Sequence, residues 1–310
     1  MLTAAGLIEV TRRGLRSGRA VEDALNGAFS PAVEPPSRHS RLLHALRRIR
    51  EVLLPLPWRP RRVRRVRNIR YGPHGRHNQL DLYLSRDQNA GPRPILIHFH
   101  GGHYQVGAKS REALPLLHSF ASQGWLCISA NYRLGAAGRF PNALIDAKQV
   151  IAWVRSAAAE SFHPDPGTLI VAGSSAGAHL AAIAALTIND PIYQPGFERA
   201  ETTVTGAVCL YGYYGALGTN DAAPSSPHDH IRRDAPPFMI VHGAEDTLVP
   251  LRFARAFADQ LAATSSSPVV YLSLPGTLHS FDLLHSPRFD NVIDGIDTFA
   301  SSLLSVVTDS

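Results

Sequence analysis

From about residue 66 onward, short apolar runs alternate with longer segments in which apolar residues recur every three or four positions. The runs Arg67–Tyr71, Gln79–Ser85, Pro94–Phe99, Trp125–Ala130, Thr168–Ala172, Gly206–Tyr211, Phe238–Val241 and Val269–Leu274 predict strands. In Gln79–Ser85 the leucines 80, 82 and 84 alternate onto one face, whereas Pro94–Phe99 (PILIHF) is almost solidly apolar. Helices are predicted over Ser110–Gln123, Ala143–Ala159, Ala176–Thr187, Leu251–Thr264 and Asp290–Leu304. In the second of these, Leu144, Ala147, Ile151 and Val154 share a face. Solid apolar strands with helices between them imply a mostly parallel sheet of about eight strands, buried on both faces. In such a sheet ligands bind at the carboxyl ends of the strands, so the loops after them are where chemistry is sought.

Residues 1 to about 65 break this alternation. They are Arg-rich, polar and interrupted by six prolines between Pro31 and Pro60. The chain therefore divides into an N-terminal appendage over 1–65 and an α/β domain over 66–310. Within the appendage, Arg41–Leu56 sets Leu42, Leu46, Ile49, Leu53 and Leu56 on one helical stripe, with Arg47, Arg48 and Glu51 off it. Such a helix either caps the core or lies on an anionic membrane surface. A cap is the preferred reading, because surface helices with an apolar stripe usually cover a core.

Composition narrows the class. The 310 residues are 45% hydrophobic and 18% charged, which excludes a largely disordered chain. The net charge of +6 is one patch: residues 38–70 hold twelve arginines against one acid, Glu51, and the remainder is net acidic. No nucleic-acid motif surrounds the patch, so no nucleic-acid partner is expected. Two cysteines, Cys127 and Cys209, sit in apolar runs and are read as free buried thiols. The opening residues place their charges after a short apolar stretch, the reverse of a signal peptide. No run reaches the ~18 apolar residues of a membrane span, and a cytoplasmic location is expected.

The strand TLIVA runs into Gly173-Ser174-Ser175-Ala176-Gly177 and then an Ala-rich helix. This is G-x-S-x-G in a strand–turn–helix setting. The turn is so tight that a side chain at either flanking glycine would meet backbone, and Ser175 is pushed out over the sheet at a helix N-terminus, where negative charge is favoured. PILIHF runs into His100-Gly101-Gly102-His103-Tyr104, a turn that lets backbone N–H groups approach a substrate oxygen. His98 is read as packing within the sheet and His100 as ordering the loop. With no carboxylate beside His98, His100 and His103, no metal site is assigned. After FMIV comes His242-Gly243-Ala244-Glu245-Asp246, where Asp246 is the better acid because it lies further into the loop; Glu245 is the alternate. After the last strand, His279 follows a Pro-Gly turn, a place for a mobile base. The chain order Ser175, Asp246, His279 is that of the α/β-hydrolase fold.

With these residues in place, the chain resembles α/β-hydrolase carboxylesterases of the hormone-sensitive-lipase-like group, and is similar to actinobacterial esterases. The likeness spans about residue 66 to the C-terminus and rests on HGGHYQVG, ANYRL, RFPNALIDAKQVIAWV, VAGSSAGAHLAA, HGAEDTLVP and LHSFD. It implies Ser175 as acylated nucleophile, Asp246 as orienting acid and His279 as base. It implies oxyanion donors from the backbone N–H groups of Gly101, Gly102, His103 and Ala176, with Gly101 also allowing the turn of the loop. It implies hydrolysis of short-to-medium acyl esters through an acyl-enzyme, with a small-molecule ester as partner and no cofactor. Three positions depart from the group: His103 stands for a third glycine, Ser174 for a common Asp before the nucleophile, and Asn131 for a common Asp in ANYRL. Tyr104, Tyr213 and Tyr214 are candidate pocket residues. The same triad serves amide hydrolases, such as an arylformamidase or small peptidase, and a non-catalytic hydrolase-like binding protein is the further alternative.

Overall fold

The apolar strand runs are explained by what covers them. In the computed structural model, which describes residues 4–29, 56, 58–87, 91–218 and 224–308, eight strands form one sheet. They are β1 (Val63–Arg70), β2 (Gln79–Ser85), β3 (Arg93–Phe99), β4 (Leu126–Ala130), β5 (Pro164–Ser174), β6 (Gly206–Leu210), β7 (Phe238–Gly243) and β8 (Val269–Leu274). The spatial order is β1-β2-β4-β3-β5-β6-β7-β8. The first two strands are antiparallel and β3 to β8 are mutually parallel. The helices are α1 (Ala4–Ala28), α2 (Leu114–Ser122), α3 (Asn142–Val154), α4 (Ala176–Leu186), α5 (Leu251–Thr264) and α6 (Pro287–Thr308).

Successive residues of each central strand feed opposite cores. Ile95, Ile97, Leu169, Val171, Phe238 and Ile240 pack with α3, α4 and α5. Leu96, Ile170, Ala172, Met239 and Val241 pack with α1, α2 and α6. Both faces are covered, so both sets of alternate positions must be apolar, and the strands lose the polar alternation of a one-sided sheet. Helix α4 is buried along its whole length and is apolar all round, as the central helix of such a layer must be.

Some boundaries differ from those predicted, each for a local reason. The first strand starts at Val63, four residues early, because pairing of Val63 with Ser85 recruits Arg-rich sequence onto the sheet edge. The helix expected over Ala143–Ala159 stops at Val154. There Arg155 and Ser156 N–H turn back to the Ala152 and Trp153 carbonyls, and Ser156 Oγ donates to Trp153 O at 2.7 Å.

The N-terminal helix α1 lies along α6 and β8 on the sheet face. Val21 and Leu25 are buried in the core of that face, and Asn291 Nδ2 donates to Ser17 Oγ at 2.9 Å. A Cβ on Gly295 would sit 2.5 Å from Val21 Cγ1, so glycine there is what lets α1 and α6 approach. The amphipathic stretch Arg41–Leu56 lies, apart from exposed Leu56, outside the described residues. Among the described residues, no helix is long and apolar enough to cross a membrane.

Because Leu25 of α1 is buried in the core of one sheet face, Leu25→Ala is expected to lower stability by about 2–4 kcal/mol in a denaturant titration. An unchanged midpoint would show that α1 is not part of the cooperative unit.

Candidate active site

The parallel strands end in register, with Phe99 beside Gly173, Ser174 beside Leu210, and Gly243 beside Leu274. Their following loops therefore converge on one edge. Ser175 leaves β5 with φ 55° and ψ −116° and is the residue before α4. Two glycines make this turn possible. A Cβ on Gly173 would fall on the Gly177 carbonyl, and one on Gly177 on the Phe99 carbonyl. Ser175 N–H donates to Leu210 O at 2.9 Å, which ties the turn to β6.

His279 Nε2 lies 3.0 Å from Ser175 Oγ, and its Nδ1 lies 2.6 Å from Asp246 Oδ2. Asp246 is buried, and its Oδ1 accepts the N–H groups of Leu248 and Val249, both at 2.9 Å. Glu245 is exposed, and its N–H donates to Thr277 O at 3.0 Å. Burial lowers the pKa of His242, against the Val249 carbonyl and Asp246, which raise it; its Nε2 meets Val249 O at 2.8 Å and lies 3.4 Å from Asp246 Oδ2. A buried carboxylate on Nδ1 fixes which imidazole nitrogen carries the proton and leaves Nε2 free to accept one from Ser175. Ser175 is 8% exposed.

Around Ser175, the Ala176 N–H opens α4 and has no earlier carbonyl in the helix to meet. Gly102 carries φ 115° and His103 φ 54°, so the loop after β3 doubles back, held by Gln105 and Val106 N–H groups donating to Gly102 O. The N–H groups of Gly102 and His103 have no acceptor among the described residues. Gly101, expected among the donors, differs: its N–H donates to Glu112 Oε2. His100 Nδ1 meets Gly101 O at 2.7 Å and its ring stacks on Tyr132, 4.5 Å between centroids. Burial lowers the pKa of His100 to about 4 and of His98 to about 3, so both are neutral.

The departures from the family pattern find partners. Ser174 Oγ donates to Asp282 Oδ2 at 2.5 Å and lies 2.9 Å from His98 Nε2. Tyr211 OH donates to Asp282 Oδ1, and the Tyr211 ring packs edge-on against His279 at 4.5 Å. Asn131 Oδ1 accepts Lys109 N–H at 2.8 Å and its Nδ2 donates to Arg76 O at 3.0 Å. Sequence reasoning passed over Glu112, Tyr211 and Asp282. Asp282 stands in the LHSFD run, three residues after His279, which was its one visible signal.

The tyrosines separate. Tyr214 is fully buried, stacked on Phe257 at 4.3 Å, and is a core residue rather than a pocket residue. Tyr104 OH meets His179 Nδ1 at 2.8 Å, and Tyr213 stacks on His179 and packs on Phe253. Tyr104 lines a cavity of about 680 Å³ with His103, Gln105, Arg139, Phe140 and Leu217. A second cavity of about 420 Å³, with Arg155, Glu160 and His163, lies at the amino end of β5, away from Ser175.

Residues 80–215 match the BD-FAE family. The chain is 38% identical to the probable carboxylic ester hydrolase LipM of Mycobacterium tuberculosis over 74% of its own length and 59% of that protein's. With esterase LipC of the same organism it shares 34% identity over 97% of this chain and 79% of LipC. It thus spans less than two thirds of LipM. Among solved structures, Thermogutta terrifontis esterase 2 phosphonylated by cyclosarin aligns with a TM-score of 0.66 at 26% identity, covering 76% of this chain and 93% of that one. A carbohydrate esterase from gut microbiota shares the fold, with a TM-score of 0.65 at 21% identity over 77% and 96% of the two chains. An eight-stranded sheet of this order, the strand–turn–helix at Ser175 and the match to LipC lead to one assignment: the chain belongs to the BD-FAE family, among the hormone-sensitive-lipase-like α/β-hydrolases.

Proposed function

We propose that this protein is a serine carboxylic-ester hydrolase acting on small-molecule esters with short-to-medium acyl chains. The observation that carries the reading is the continuous relay from Ser175 Oγ through His279 to buried Asp246, at 3.0 and 2.6 Å. The names of LipM and LipC, a carboxylic ester hydrolase and an esterase, support the same chemistry.

In this mechanism His279 Nε2 takes the Ser175 proton as Oγ attacks the ester carbonyl. The carbonyl oxygen becomes an oxyanion, met by the N–H groups of Gly102, His103 and Ala176. Each such donor contributes about 3–4 kcal/mol to lowering the barrier. His279 then protonates the leaving alcohol. Water, deprotonated by His279, attacks the acyl-enzyme and releases the acid. Asp246 orients the ring and stabilises the imidazolium that forms.

The surroundings favour an apolar ester. Val106 on the oxyanion loop, Leu248 beside Asp246 and Leu278 beside His279 are all more than half exposed, at 60%, 54% and 59%. The cavity beside His103 and Tyr104 takes one arm of the substrate.

Hydrolysis of p-nitrophenyl acetate, butyrate, octanoate and palmitate by wild type and Ser175→Ala tests the reading. Wild type is expected to turn over the shorter esters, indifferent to EDTA, and Ser175→Ala to lose about 10⁴–10⁶-fold in kcat. Equal turnover by the two proteins would remove Ser175 from the mechanism, and turnover of matched amides but not esters would redirect it to amide hydrolysis. Asp246→Asn is expected to cut kcat by about 10³–10⁴-fold with little change in KM, because it offers His279 the wrong partner for Nδ1–H. A loss under tenfold would place the orienting acid elsewhere.

A further inference from the structure

One carboxyl group beside Ser175 stands outside the relay. Glu112 lies on the loop between β3 and α2, half-buried, and its Oε2 accepts the Gly101 N–H. That oxygen lies 3.1 Å, and Ser175 Cβ 3.0 Å, from the point a Cβ on Gly101 would occupy. The carboxyl group and the nucleophile's side chain therefore flank the same backbone position.

We propose that Glu112 is a positioning residue of the oxyanion site: by holding the Gly101 N–H it turns that peptide away from substrate and fixes the loop that aims the Gly102 and His103 N–H groups at Ser175. The inference rests on the serine-hydrolase reading of the site. The loop needs such an anchor. Gly102, His103 and Tyr104 all carry positive φ, at 115°, 54° and 60°, and two of them are not glycine. A backbone run of this kind persists only where its surroundings over-determine it. On one side of Gly101 the carbonyl meets His100 Nδ1 at 2.7 Å; on the other the N–H meets Glu112. Remove Glu112 and the N–H of Gly101 is left without its acceptor, free to rotate the peptide that leads into Gly102.

The anchor is also titratable. Burial, then the nearby carboxyl of Asp282, push the Glu112 pKa up to about 7, against the Gly101 N–H and Arg111, which lower it. The ionisable groups facing it are Arg111 on its own loop, Asp282 after β8, Tyr211 after β6 and Tyr132 after β4. Below about pH 7 Glu112 is neutral. As pH rises through about 7 it gains a negative charge beside the place where the oxyanion forms. That charge opposes the oxyanion, so kcat declines on this limb.

The test is kcat and KM for p-nitrophenyl butyrate across pH 5.5 to 9, as rough limits, for wild type, Glu112→Gln and Glu112→Ala, with Ser175→Ala as blank. The same proteins are labelled with a fluorophosphonate, in which a Ser175 Oγ–P bond forms, fluoride leaves and the serine proton passes to His279. Glu112→Ala is expected to lower kcat and the labelling rate by about 10–100-fold with KM nearly unchanged, the scale of a small misplacement of catalytic groups. Glu112→Gln, whose amide oxygen still accepts the Gly101 N–H, is expected to recover most of that loss and to lack the decline above neutral pH. The proposal is overturned if Glu112→Ala keeps wild-type kcat and labelling, if Glu112→Gln falls as far as Glu112→Ala, or if wild type and Glu112→Gln share one pH profile. A wild type that is labelled at Ser175 but hydrolyses no ester overturns the esterase reading alone, and the labelling rates still decide the role of Glu112.

Discussion

The molecule is organised around a backbone contact too close for any side chain. Where β5 ends, Gly177 rests against the Phe99 and His100 carbonyls and Gly173 against the Gly177 carbonyl. This contact sets the start of α4, the angle at which Ser175 leaves the sheet, and the distance between the ends of β3 and β5. A methyl group at either glycine would push those elements apart. The same device recurs at the acid: Gly243 lies close against the Thr277 and Leu278 carbonyls, while Ala244 and Glu245 N–H groups donate to Leu274 and Thr277. The loops carrying Asp246 and His279 are thereby stitched together before either side chain contributes. The relay at Ser175 follows from backbone packing at two strand ends.

Around that frame, several buried carboxylates are met by donors. Asp246, Asp81 and Asp146 each accept several hydrogen bonds, from backbone N–H groups or from Arg65, Lys109 and Arg133. Asp282 collects the hydroxyls of Ser174 and Tyr211. Unpartnered, any of these would cost more than the fold has to spare. The buried histidines solve the problem differently: burial lowers the pKa of His98, His100 and His179, so they serve as neutral hydrogen-bonding rings. Of the site histidines, His279 alone joins a serine hydroxyl to a carboxylate, and its side chain is partly open to solvent.

Much of this was legible along the chain because it is local. Two-sided burial writes itself as solid apolar runs, so the central strands could be located from them. A tight strand–turn–helix writes itself as G-x-S-x-G, and a loop that must approach substrate as paired glycines. Strand and helix ends were less legible. Val63 joins the sheet through its pairing with Ser85, and α3 stops where Ser156 captures a carbonyl. Tyr214 shows the same limit: it reads as one of a pair of aromatic loop residues, yet it fills a core against Phe257 while its neighbour Tyr213 packs on His179.

The amino-acid sequence by itself determined the sheet class, the chain order of Ser175, Asp246 and His279, and the loops that carry them, since each depends on residues close together in the chain. Tertiary structure alone decided that the Gly101 N–H meets Glu112, that the Ser174 hydroxyl meets Asp282, and that the Tyr211 ring packs on His279. It also decided that α1 belongs to the core of the sheet, through Ser17 and Asn291. These contacts join residues brought together only by the crossing of strands, and a carboxyl or phenol carries no mark in the sequence of the distant donor or acceptor that gives it a role.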